Sequence, residues 1–213
     1  MNSKNSSIVL SFMGVDGVGK TTLINLLKKK VKRNFSKIRY IHLRPYFFLL
    51  DPRNTVSNPH KNKEKSFAII SFFKILYWLI VYRIYFIFLR FKKGELIIFD
   101  RYAHDLSIDK IRYQFNLSEK LTKLLLNFFP EPNLWVHLEA SISKIEKRKK
   151  ELPRNEIQKQ LRNYRYFFKN INETRCITIL RQILKVNNYS LKREKNIYYI
   201  KKNKKTYYII CFD

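Results

Sequence analysis

Four short apolar or alternating runs punctuate the first 140 residues: IVLSFM at 8–13, IRYIHL at 38–43, LIIF at 96–99 and LWVHL at 134–138. Their length predicts strands, and the unbroken run at 96–99 predicts one covered on both faces. A weaker fifth run lies at 176–180. Between the runs the period lengthens: Leu23, Ile24, Leu26, Leu27 and Val31 recur at helical spacing. Strands alternating with helices make βαβ units, so the pattern predicts an α/β fold with a mostly parallel sheet flanked by helices.

Two stretches depart from this rhythm. Residues 67–91 are apolar almost throughout, interrupted by Lys74, Arg83 and Arg90, and are long enough to span a bilayer. A span would leave the second and third strands on opposite sides of a membrane, although they must share one sheet. The pattern favours a buried helix pair and leaves open a helix lying at a membrane interface with its basic residues toward headgroups. At 196–213, two aromatic-rich runs joined by KKNKK predict a β-hairpin with a basic turn.

Composition changes the picture little. A chain of 213 residues is most economically one domain with a substantial core. Its two cysteines, Cys176 and Cys211, make neither a disulfide framework nor a zinc ribbon, which fits a reducing cytoplasm. The formal net charge of +28 suits an anionic partner. Mutational bias toward lysine, asparagine and isoleucine would produce the same excess.

The chemistry is concentrated in one stretch. Three of the four glycines, Gly14, Gly17 and Gly19, lie within SFMGVDGVGKTTL at 11–23. From Gly14 through Val15, Asp16, Gly17 and Val18 to Gly19, Lys20 and Thr21, the spacing is GxxxxGK[ST], followed by Thr22. Bare backbone lets successive N–H groups converge on phosphate oxygens, and the helix that follows presents its positive end to the same anion. Lys20 reaches the terminal phosphates, and Thr21 offers a hydroxyl to magnesium. The cofactors expected are therefore ATP and Mg2+. A second signal is Asp100, closing the apolar run at 96–99 where a carboxylate can hold that magnesium, with Arg101 beside it as a planar fork for phosphate.

GVDGVGKTT, HLRP at 42–45, FDRY at 99–102, PNLWVHLEA at 132–140 and EKRKKELPRNE at 146–156 together resemble the thymidylate kinase family in order and spacing. The resemblance covers residues 7 to about 170 and implies a three-layer P-loop NTPase fold in which an acceptor mononucleotide, dTMP or a similar small phosphate acceptor, faces ATP. It implies that Asp16 meets the acceptor's sugar and Arg44 its phosphate, with Arg101, Tyr102 and Asp105 around the acceptor. Residues 1–180 would form the kinase domain, with a mobile lid at about 143–156, and 181–213 a basic aromatic tail. Ser143 and Glu146 have the spacing of a capping box at the start of the lid. Because Gly17 stands where some members carry an arginine, the lid is expected to supply it, from Arg148 or Arg154.

The departures fall where the acceptor base should be read. The tyrosine–glutamine stretch after DRY is replaced by IDKI, with RYQF at 112–115 four residues late, and the base-reading arginine's register falls on Leu79, with Arg83 one turn on. Phosphoryl transfer to a nucleoside monophosphate is the first expectation. A kinase of sugar or surface-polysaccharide precursors, and a nucleotide-dependent nucleic-acid binder, are the alternatives. A small-molecule partner is expected rather than nucleic acid. A homodimer and a peripheral membrane contact through 67–91 are left open.

Overall fold

A computed structural model describes residues 7–44, 67–148, 153–169, 190–194, 197–202 and 205–210. The strand run at 176–180, both cysteines and lid residues 149–152 lie outside these. Strands β1 (Ile8–Met13), β2 (Lys37–His42), β3 (Glu95–Asp100) and β4 (Leu134–Glu139) stand where the apolar runs place them. They pair in parallel in the order β2-β3-β1-β4. Helices α1 (Lys20–Val31) and α2 (Ala68–Arg90) are the crossovers that parallel pairing requires.

Alternation along the strands divides the core into two layers. Leu10, Phe12, Leu96, Ile98, Val136 and Leu138 face α1 through Ile24 and Val31. Val9, Ile97, Phe99 and Trp135 face the other way, toward Ile75, Trp78 and Tyr82 of α2 and Tyr164 and Phe168 of α6 (Arg154–Lys169). That second layer also holds α3 (Asp105–Ile108), α4 (Glu119–Leu126) and α5 (Ile142–Arg148). The arrangement is a three-layer α/β fold. α5 begins one residue ahead of the Ser143 cap, its first turn closed by Lys144 and Ile145 amides donating to the Ser141 carbonyl.

Beyond β4 the sheet continues with three antiparallel strands, β5 (Ser190–Glu194), β6 (Ile197–Lys202) and β7 (Lys205–Ile210), in the order β4-β7-β6-β5. β6 and β7 pair as a hairpin closing at Lys202 and Lys205, and β7 meets β4 with His137 opposite Ile210.

The expectation of a buried helix pair at 67–91 does not hold. The stretch is one continuous helix of 23 residues with a single buried face, formed by Ser71, Ile75, Trp78, Val81, Tyr82 and Leu89. Apolar residues on its opposite side stay exposed because no described element packs there.

Candidate active site

The loop between β1 and α1 needs its glycines for room as well as for conformation. Gly14 has φ 147°, and a Cβ there would stand 2.5 Å from the Leu138 carbonyl oxygen of β4. Gly19, at φ 105°, caps α1, whose first turn has neither a side-chain cap nor an acidic residue. The first amides of a helix have no partner within it, so this terminus is left to an anion. Val15 and Val18 are buried in the two core layers and can contribute only backbone. Thr21 and Thr22 are exposed on the first turn.

Lys20 is buried under this loop. Its Nζ donates to the carbonyls of Gly14 (2.7 Å) and Val15 (3.1 Å) and lies 3.7 Å from the Asp16 carboxylate. Burial, and then the neighbouring Arg101 charge, lower its pKa to about 8 against the pull of Asp16. From the lid side, Arg148 reaches the same loop, donating from Nη1 to the Gly17 and Val18 carbonyls at 3.3 Å each. Arg154 is exposed at the start of α6 and makes no hydrogen bond or ion pair among the described residues.

Strand register brings the second signal to the loop. Asp100 stands opposite Phe12 of β1 and His42 of β2, at the carboxyl end of the parallel sheet. One of its carboxylate oxygens accepts from the Tyr40 hydroxyl at 2.8 Å, and the other, Oδ1, is buried with no hydrogen-bond partner. A buried carboxylate oxygen without a donor suits a hydrated cation. With Thr21 on the adjacent helix turn, these residues fit magnesium. Among the described residues, no three or more His, Cys, Asp or Glu cluster as metal ligands.

Arg101 leaves the strand in the left-handed region, φ 78°, while its amide still donates to the Phe12 carbonyl at 2.9 Å. A non-glycine residue held there stores strain of about 1–3 kcal/mol, and the turn sends the guanidinium back under the phosphate loop. Nη1 donates to Asp105 at 2.7 Å and to the Tyr164 hydroxyl at 3.2 Å, and Nη2 donates to Asp16. Tyr164 in turn donates to Asp105 at 3.0 Å. The second oxygen of Asp16 accepts from Arg112 Nη1, so two guanidinium groups converge on one loop carboxylate.

This geometry revises several expectations. Asp105 is fully buried behind Arg101, with one oxygen on Arg101 and the other on Tyr164. Both of its oxygens are engaged inside the fold, where they hold Arg101 and Tyr164. Tyr102 belongs to the core: its hydroxyl donates to the Pro130 carbonyl at 2.5 Å and its ring packs on Tyr82, Phe99 and Trp135. Arg83 is exposed and donates to the Phe128 carbonyl at the end of α4, away from the cluster. Leu79 packs against the core. Arg44 lies over the Tyr77 and Trp78 rings, 5.6 and 5.4 Å from their centroids, and Trp78 meets Tyr113 edge-on.

Arg112 and Tyr164 carry no sequence motif of their own. RYQF at 112–115 held the one legible hint for Arg112. A turn at 110–114, with Gln114 at φ 49°, brings Arg112 to Asp16.

No protein-family model and no curated protein matches the sequence. Among solved structures, thymidylate kinase from Ehrlichia chaffeensis is similar over 80% of this chain and 86% of that one, at 17% identity and a TM-score of 0.50. The shared fold is an α/β one of the P-loop NTPase type. Deoxyadenosine kinase from M. mycoides with bound dATP is similar over 83% of this chain and 98% of that one, at 16% identity and a TM-score of 0.46. At such identity the likeness speaks for architecture, and the acceptor has to be read from the site's own chemistry.

Proposed function

We propose that the protein transfers the γ-phosphoryl group of ATP to the phosphate of a nucleoside monophosphate, with dTMP the first acceptor to test. The observation that carries this reading is the convergence of Lys20, Arg101 and Arg112 on Asp16 at the foot of a phosphate loop. Loop amides, Lys20 and Arg148 gather around the donor's phosphates. Arg101 is buried with its two Nη groups on Asp105, Tyr164 and Asp16, so it would take an acceptor phosphate by exchanging the Asp16 contact, with Arg112, the more exposed of the two, as a second fork. Asp16 between them offers a carboxylate to a sugar hydroxyl. Thr21 and Asp100 would hold magnesium, which would supply charge neutralisation for the transferring phosphoryl group. The acceptor phosphate oxygen forms the new P–O bond as the bond to the ADP oxygen breaks, and positioning together with charge supplies the catalysis.

One observation favours a second acceptor class. The base-reading register holds the core residue Leu79, and Arg83 is spent on the Phe128 carbonyl, so a sugar phosphate would lose no base contact here. A coupled assay of ADP release, with ATP, magnesium and a panel of nucleoside monophosphates and sugar phosphates, tests both. The expected result is turnover with dTMP well above the background without acceptor. Turnover confined to sugar phosphates would move the assignment to the second class, and none with any phosphorylated acceptor would overturn it.

A further inference from the structure

Among the described residues, the exposed side of α2 is an extended apolar feature that phosphoryl transfer does not use. Ile69, Phe73, Tyr77, Ile80, Ile84 and Ile87 follow one another at intervals of three or four residues, which places them along one face of the helix. Each is at least 40% exposed. From Ile69 to Ile87 the stripe is about 27 Å long. Soluble proteins rarely leave a continuous apolar strip of that length to water, and one that does so marks an interaction surface.

The charges around the stripe decide its occupant. From Phe67 to Lys93 the chain carries Lys74, Arg83, Arg90, Lys92 and Lys93 and no acidic residue. At 100° per residue, Arg83 and Arg90 run along one border of the stripe, and Arg90, Lys92 and Lys93 are exposed at its end. A second copy would bring this basic border against itself, with no carboxylate on either helix to answer it, between chains of +28 each. An anionic bilayer offers acyl chains for the stripe and headgroups for the border. The helix cannot cross that bilayer, because β2 and β3 on either side of it are parallel neighbours in one sheet.

We infer that α2 docks the protein on an anionic lipid surface, lying in the plane of the membrane with its Ile69–Ile87 stripe inserted and Arg90, Lys92 and Lys93 among the headgroups. This surface is independent of the acceptor's identity, and its test does not depend on turnover.

The experiment is co-flotation of the full chain with phosphatidylcholine vesicles, with and without ~30% phosphatidylglycerol. Binding is expected to the anionic vesicles, at least about tenfold tighter than to the neutral ones, and to weaken with added salt. Phe73→Glu with Ile80→Glu should abolish it, while Arg90→Gln and Lys93→Gln should each weaken it about fivefold. All four positions are exposed, so the variants should keep the wild-type thermal midpoint and ATP affinity, which separates lost docking from lost folding. Equal binding to both vesicle types would overturn the inference. So would a micromolar dimer that binds no vesicles and that Phe73→Glu with Ile80→Glu converts to monomer, because a second copy would then cover the stripe.

Discussion

The two halves of the site are built in opposite ways. On the proposed donor side, Gly14 to Thr22 bring the loop, the lysine, the helix terminus and a threonine hydroxyl from nine consecutive residues. On the proposed acceptor side, Asp16 comes from the loop, Arg101 from the end of β3 and Arg112 from a turn, with Asp105 of α3 and Tyr164 of α6 behind Arg101. A contiguous site is set by local backbone geometry and tolerates drift elsewhere in the chain. A convergent site exists only when several tertiary contacts agree. Its parts can come from anywhere in the sequence, provided they arrive at the same point in space.

The largest effect is expected where the contiguous half is broken. Lys20→Ala removes the cation under the loop and should lower kcat/KM by about 10²–10³-fold, with a comparable loss for every acceptor because the donor phosphates are common to all of them. Circular dichroism should show the wild-type fold, since the strands on either side pair without Lys20. Near wild-type turnover in a folded Lys20→Ala protein would remove the phosphate loop from the mechanism altogether.

A smaller and more selective effect is expected from the convergent half. Arg112→Ala should raise the acceptor KM by about 10–100-fold, the loss of one or two charge-assisted hydrogen bonds of roughly 1.5–3 kcal/mol, and leave the KM for ATP within about twofold. Arg112→Lys keeps the charge and loses the fork, so it should recover only part of the loss. If Arg112 served only to hold Asp16 in place, both substrates would suffer in Arg112→Ala. The split between the two KM values therefore separates acceptor binding from structural support.

The same contrast explains what the sequence showed and what it hid. Strands β1, β3 and β4 were legible because parallel sheets are buried on both faces, which leaves runs such as LIIF unmistakable. β2 stood out by its alternation. The phosphate loop was legible because its chemistry is local. The resemblance places Asp105 and Tyr102 around the acceptor, and no sequence pattern shows what the fold does with them: one sits behind Arg101 and the other in the aromatic core. Arg112 was hidden because nothing in a turn at 110–114 announces which distant carboxylate it meets. The helix at 67–91 reads apolar on every side, so periodicity could not say which side the protein covers.

The subtlest difference between the halves is how they respond to pH. The Lys20 pKa, lowered by burial and by Arg101 to about 8, means the free enzyme loses this charge within an accessible range. ATP needs the protonated form, so binding above pH 8 must first restore the proton. For a pKa near 8 this weakens ATP affinity by about tenfold between pH 7 and pH 9. Arginines stay charged throughout that range, and an acceptor phosphate is already dianionic above its second pKa near 6, so acceptor affinity through Arg101 and Arg112 should hold nearly constant. Titration calorimetry of each ligand separately from pH 7 to 9 would show the two halves diverging. Lys20→Arg, which cannot titrate there, should flatten the ATP profile even if it binds ATP more weakly overall. Parallel pH curves for donor and acceptor would mean that Lys20 is not the group that titrates, and that the two halves share one electrostatic environment after all.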